Sequence, residues 1–220
     1  MAARFPIEEF EKLKKTLLVY EWGRQMLLTK INIIFEDFEH FQTQTSNPIE
    51  HIKSRMKSPE SIAEKLYKLG HELTAKNAVE HIKDIGGIRI ICTYARDISR
   101  LAELLRAMPN VIVLSEKDYV TNPKPSGYRG YHFYLETPVL YSGAVANVPV
   151  EIQIRTAAMD FWATLEHNAK YKYNQHIPPH LSDELITCAN QIAELDERMF
   201  TIHTIIESLN KDNGTMSSEM

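Results

Sequence analysis

Two long apolar stripes, one near each end of the chain, constrain its fold more than any other feature. Phe10, Leu13, Leu17, Tyr20, Leu27, Ile31, Ile34, Phe38 and Phe41 recur at alternating spacings of three and four, with Arg24 the one polar residue in the series. Leu181, Leu185, Cys188, Ile192, Leu195, Met199, Ile202, Ile206 and Leu209 repeat the pattern after Pro178-Pro179. The spacing predicts one helix over 7–41, broken by 42–48, and a second from the proline pair to about 209. The polar last ten residues read as a frayed tail.

Between the stripes the period changes. A helix is expected over 59–69, with Pro59 in its first turn and Gly70 just past its end, followed by a polar stretch over 71–83. Short branched runs predict strands at 88–94, 111–114, 131–137 and 147–155, the last two paired as a hairpin around 141–146. Helices fit 97–107, with Asp97 near its start, and from a Thr156 cap to about 173. A loop rich in Pro and Lys fills 116–130. The order predicts an α+β fold: a mixed sheet of four to five strands surrounded by helices, with long helical arms at both ends. It reads as a single unit over 1–220, with arms at 1–45 and 176–210, a core at 46–175 and a tail at 211–220.

With 220 residues, 44% of them hydrophobic, the chain is long enough for one real core. A formal net charge of −4 argues against a general nucleic-acid binder, which carries a basic excess. RNA binding is therefore not indicated. Cys92 and Cys188 form no framework and no metal spacing, and both read as small buried hydrophobes in a reduced, cytoplasmic protein. The charged N-terminus does not look like a signal peptide, and no apolar run approaches the ~20 residues of a membrane span.

Four clusters carry chemistry. In the strand 148–155, Val148, Val150, Ile152 and Ile154 point one way, and Pro149, Glu151, Gln153 and Arg155 the other. That second face is either a solvated surface or the wet floor of a site. Before the first strand, Lys83-Asp84-Ile85-Gly86-Gly87-Ile88-Arg89 offers a turn acid, paired glycines and a guanidinium that needs a partner if buried. Arg55, Lys57, Ser58, Ser61 and Lys65 open the helix at 59 and suit phosphate, or form a solvated basic face. The loop from Asn122 to His132 combines Lys124, Gly127, Tyr128 and Arg129: charge for phosphate and an exposed ring for a base, or an ordinary surface turn.

Taken in order, these clusters resemble the successive motifs of the (p)ppGpp synthetase family. They are Arg55-x-Lys57 with Ser61, Asp84-Ile-Gly-Gly-Ile-Arg89, Lys124-Pro-Ser-Gly127-Tyr128-Arg129-Gly-Tyr-His132 and Glu151-Ile-Gln153-Ile-Arg155-Thr156. The run from Ala158 to His167 is similar to its small, stand-alone members, the small alarmone synthetases. Gly130 stands where many relatives carry a serine. The resemblance covers about 45–180 and implies a nucleotidyltransferase-like sheet, ATP as pyrophosphate donor and GDP or GTP as acceptor, with GMP left open. The chain carries no His-Asp dipeptide, so a synthetase without hydrolase is expected.

The resemblance also implies roles. Asp84 is the principal Mg²⁺ ligand, and Glu151 a second ligand or the general base. Arg55 and Arg89 flank adenine, while Lys57, Ser61 and Lys65 hold the ATP phosphates. Lys124 and Arg129 meet the acceptor phosphates with His132 nearby, Tyr128 stacks on guanine, and Gln153 and Arg155 line the acceptor side. Asp160, one turn into the following helix, is placed to accept from guanine N1–H and N2–H or, more plainly, to interact with the helix dipole. The alternative reading is a catalytically silent nucleotide- or RNA-binding regulator. A different nucleotidyltransferase would show a Gly-Ser pair followed by a closely spaced Asp-x-Asp or Asp-x-Glu, and the chain has no Gly-Ser pair to begin such a motif. A purely structural oligomeriser would leave the centre unexplained. The stripes pair either with each other or across subunits; the resemblance favours a homotetramer.

Overall fold

Branched and aromatic residues at every second position pair into one sheet. The computed structural model describes residues 4–40, 47–173 and 177–216. Among these residues the order is α1 (Ile7–His40), β1 (Ile49–Met56), α2 (Pro59–Lys68), α3 (Ala75–His81), β2 (Gly86–Cys92), α4 (Ala95–Arg106), β3 (Ile112–Asp118), β4 (Tyr131–Tyr141), β5 (Ala144–Thr156), α5 (Ala157–Lys172) and α6 (Pro179–Met216). The strands lie in the order β1-β2-β5-β4-β3, with β2 and β5 parallel and every other pair antiparallel. This is the expected α+β fold with a mixed sheet and long terminal helices. Phe41 and most of the expected break at 42–48 fall outside the described residues.

Two elements were not anticipated. β1 reads Ile-Glu-His-Ile-Lys-Ser-Arg-Met and is an edge strand with few buried positions, so it lacks the apolar alternation that marks a strand. α3 lies in the stretch read only as polar; Thr74 caps it by accepting from the Asn77 amide at 3.1 Å. β3 also runs past the expected Leu114 to Asp118, whose carboxylate accepts from the Val120 and Thr121 amides and turns the chain. The β4–β5 hairpin turns at Ser142 and Gly143, both with positive φ (49° and 79°), the geometry that matches strand twist.

The apolar face of the sheet is covered by α1 and α4. Leu27 and Ile31 pack with Ile88, Ile90, Phe133, Ile152 and Ile154, and with Ile98, Leu101 and Leu105. Leu13 and Tyr20 join α2 and α3 around Ile62, Leu66, Ala78 and Ile82. Where α1 crosses β5 the contact is backbone-close: a Cβ on Gly23 would lie 2.6 Å from a Val148 methyl. A third cluster, Tyr128, Trp162, Ala163 and Ala189, joins α5, α6 and the loop before β4.

Candidate active site

The polar face of the sheet is the floor of a cleft. In the β2–β5 register Gly87 faces Glu151 and Arg89 faces Gln153; in the β4–β5 register His132 faces Gln153 and Tyr134 faces Glu151. Arg55 on β1 lies opposite Gly87, so the period-two alternation of four strands collects these side chains on one surface. Two connected lobes open above it, of about 170 and 500 Å³, sharing Arg55, Asp84, Arg89, Glu151 and Gln153. The larger lobe is lined by six cations, Arg55, Lys65, Arg89, Lys124, Arg155 and Lys170, against three carboxylates, Asp84, Glu151 and Glu166. A chain with a net negative charge thus concentrates positive charge where a polyphosphate would sit.

Asp84 sits in the turn before β2, and both its oxygens are taken, by Lys57 Nζ and Lys65 Nζ at 2.7 Å each. Burial pushes its pKa up, but the two ammonium groups outweigh burial and hold it below the ordinary aspartate value. Glu151 is buried beside it. Oε1 accepts from the Tyr134 hydroxyl at 3.1 Å and from His132 Nδ1 at 3.2 Å, and Oε2 from Gln153 at 3.0 Å. Burial and the nearby Asp84 charge oppose its ionisation; the bonds and charge of His132, with Tyr134, prevail and lower its pKa.

The loop before β4 folds back on itself. The Lys124 amide donates to Tyr128 O at 3.1 Å and the Gly127 amide to Lys124 O at 2.8 Å. Gly127 has φ +89°, and a Cβ there would lie 2.8 Å from Ala189 Cβ, so glycine is required. Tyr128 corrects the expectation of an exposed ring: it is 7% exposed. Lys124 Nζ and Arg155 Cζ approach its ring at 4.7 and 5.0 Å, within cation–π range. Arg129 lies away from the lining and donates to Val120 O at 2.9 Å, which fixes the loop. Ser61 contributes its amide to the Ser58 cap of α2 at 3.2 Å. Asp160 also lies behind the cleft, where its Oδ1 accepts from Arg89 Nη1 at 2.8 Å and Arg155 Nη1 at 3.0 Å. Asp160 lines neither lobe, and the oxygen that would meet a guanine edge is shared by two arginines.

The description "Region found in RelA / SpoT proteins" matches residues 54–176, a span holding Arg55, Asp84, the loop and Glu151. The GTP pyrophosphokinase YwaC of Bacillus subtilis is 45% identical over 192 residues, 87% of this chain and 90% of the relative. The chain belongs to the RelA/SpoT family. Among solved structures of this family, small alarmone synthetase 1 from Bacillus subtilis bound to its product pppGpp superimposes with a TM-score of 0.81 at 34% identity, covering 89% of this chain and 98% of that one. Small alarmone synthetase 2 from the same organism gives 0.78 at 44% identity, covering 87% and 97%. The likeness therefore places the chain among the small alarmone synthetases of the RelA/SpoT family.

Several lining residues of this RelA/SpoT-family chain escaped the sequence reading. Lys53 and Ser54 sit on β1, whose strand character was not legible. Tyr134 was findable, since it lies two residues beyond His132 on a predicted strand. Thr164, Glu166, His167 and Lys170 form one wall of the larger lobe from α5; only the tertiary packing of that helix reveals them. No cluster of three or more His, Cys, Asp or Glu among the described residues could hold a metal unaided. The donor set is two carboxylates on a shared cleft, which fits a hard ion completed by phosphates and water.

Proposed function

We propose that the protein transfers the pyrophosphoryl group of ATP to the ribose 3′-hydroxyl of GDP or GTP, yielding ppGpp or pppGpp and AMP. The observation that carries this reading is the meeting of Asp84 and Glu151 on the floor of a cationic cleft with two connected lobes. It agrees with the named activity of relatives such as YwaC. In the reaction a bond forms between the 3′-oxygen and the β-phosphorus. The bond from that phosphorus to the α,β-bridging oxygen breaks, AMP leaves with that oxygen, and the 3′-hydroxyl loses its proton.

Mg²⁺ is the metal we assign, held by Asp84 and Glu151; when bound it offsets phosphate charge and polarises the transferred group. Lys57 and Lys65, which neutralise Asp84 in this structure, bind the donor phosphates when released. Arg55 and Arg89 flank the adenine, on adjacent strands beside the smaller lobe. Lys124 meets the acceptor phosphates, and its departure from the Tyr128 ring uncovers a face for guanine. Glu151 is ionised at neutral pH, the state a metal ligand needs. Glu151 serves as a second metal ligand or as the general base that takes the 3′-hydroxyl proton. The reading includes a synthetase without hydrolase, a cytoplasmic setting and a homotetramer.

The deciding experiment incubates the purified protein with ATP, Mg²⁺ and GMP, GDP or GTP in turn and resolves the products. A 3′-pyrophosphorylated guanine nucleotide and equimolar AMP are expected; no transfer to any acceptor would overturn the reading. Glu151→Gln should lower turnover by about a thousandfold or more while nucleotide binding stays within about threefold, since the amide keeps the shape but neither ligates the metal well nor accepts a proton.

A further inference from the structure

Arg89 and Arg155 stand on the adjacent parallel strands β2 and β5, and both line the cleft. Their charges repel. Burial first, then Arg155, makes the Arg89 guanidinium harder to keep protonated, and Asp160 works against both. Asp160, in the first turn of α5, is 9% exposed. One of its oxygens, Oδ1, receives Nη1 of both arginines, and Oδ2 faces Lys53 Nζ at 3.7 Å. The Nε–H of Arg89 is buried with no acceptor among the described residues, so its plane is set from the Asp160 side.

From Arg155 two hydrogen-bonded routes run to the two oxygens of Glu151. In the first, Arg155 Nε donates to the Tyr128 hydroxyl at 3.1 Å, which lies 2.5 Å from His132 Nε2, and His132 Nδ1 lies 3.2 Å from Glu151 Oε1. A carboxylate can only accept, so Nδ1 carries a proton. Nε2 completes the route, accepting from the Tyr128 hydroxyl when the imidazole is neutral and donating to it when charged. In the second, Arg155 Nη2 donates to Gln153 Oε1 at 2.6 Å and Gln153 Nε2 to Glu151 Oε2 at 3.0 Å. The five side chains close a ring that fixes the plane of the Glu151 carboxylate. Arg89 joins this ring through Asp160.

We propose that Asp160 is a positioning residue that couples the two nucleotide sites: by holding Arg89 and Arg155 on one carboxylate oxygen, it links order on the donor side to the ring that orients Glu151 on the acceptor side. The proposal deepens the function given above and rests on it for the naming of the two sides. It replaces a direct contact between Asp160 and guanine, for which Oδ1 is no longer free. Removing the shared charge leaves two guanidiniums facing each other across neighbouring strands, so each relaxes away and the order of one no longer sets the order of the other.

The test compares wild type with Asp160→Asn by calorimetry. GDP affinity is measured alone and with a saturating ATP analogue whose α,β-bridge cannot be cleaved. In wild type the analogue should tighten GDP by about tenfold. In Asp160→Asn that ratio should fall to within about twofold of unity, with kcat reduced more than either KM. The preference for GDP over IDP, which lacks the 2-amino group, should be unchanged. Arg89→Gln and Arg155→Gln, which each remove one arm, should abolish the ratio as well and keep the test decisive if Asp160→Asn does not fold. A wild-type ratio of one, a ratio that survives these substitutions, or a loss of GDP-over-IDP preference with the ratio intact would each overturn the proposal. Coupled binding without any transfer product would instead refute the reaction and leave the coupling standing.

Discussion

Helices α1 and α6 have similar lengths, 34 and 38 residues, and similar apolar spacing, but they meet different fates in the subunit. Along α1, Leu13, Tyr20, Leu27 and Ile31 are buried against the molecule's own sheet and short helices, and Phe38 is buried as well. Along α6, Leu195, Met199, Ile202, Ile206 and Leu209 are about half exposed. The side of α6 that meets the subunit is mixed. Ala189, Leu185 and Ile192 pack on α5, Asp196 accepts from the Thr156 hydroxyl at 2.6 Å, and Phe200 and His203 lie on the Tyr94 ring. Cys188 shares this outcome: expected in the core, it is exposed. A heptad-like stripe therefore specifies a helix and an apolar face, but not what covers that face.

The contrast predicts that one substitution has two outcomes. Leu27→Asp places a charge at a fully buried position and should cost about 5 kcal/mol or more, enough to leave no folded protein by circular dichroism. Should this variant melt like wild type, α1 would not be the core helix described here. Leu195→Asp with Ile202→Asp should instead leave a folded subunit and reduce the mass in solution to near 25.4 kDa by light scattering. Exposed apolar stripes of this size, with Phe161 and Leu165 of α5 beside them, invite subunit contacts. Unfolding of the double variant would make α6 as integral as α1, and a wild-type mass near 25 kDa would remove the proposed homotetramer.

The smallest effect concerns the polar anchor of α6. Burial raises the Asp196 pKa above the ordinary aspartate value, although the Thr156 hydroxyl works to lower it. A carboxyl whose folded pKa is raised contributes stability below its unfolded pKa and loses it as pH rises through the folded one. Asp84 and Glu151, both lowered, do the opposite: their contribution is present above the ordinary carboxylate range and is lost as pH falls through their folded values. Asp196→Asn keeps an acceptor for Thr156 without a buried charge. It should stabilise the protein at pH 7 by up to about 1 kcal/mol, a gain that vanishes under acid conditions. A destabilised variant at pH 7 would show that α6 depends on the Asp196 charge itself.

Much of the site was legible because it rests on alternation. Val148, Val150, Ile152 and Ile154 are buried, and Glu151, Gln153 and Arg155 share the opposite face, as period two requires. Asp84, Arg89, Lys124 and His132 likewise reach the cleft, and so does Arg55. Arg129 and Asp160 did not follow, because a basic loop residue and a helix-start acid have the same composition whether they face a ligand or support a neighbour. β1 and α3 were missed for lack of an apolar pattern, since an edge strand and a short surface helix bury too little to need one.

By itself the sequence determined the helices and strands that carry an apolar period, and which face of the central strand is apolar, because those depend on local periodicity. It also carried the order of the motifs that identify the family. Only the tertiary structure decided that one apolar stripe is buried and the other left outward, that Tyr128 is enclosed between two cations, and that Asp160 serves two arginines rather than the cavity. Each of those outcomes depends on which side chains from distant segments compete for the same space or the same charge, and spacing along the chain contains no measure of that competition.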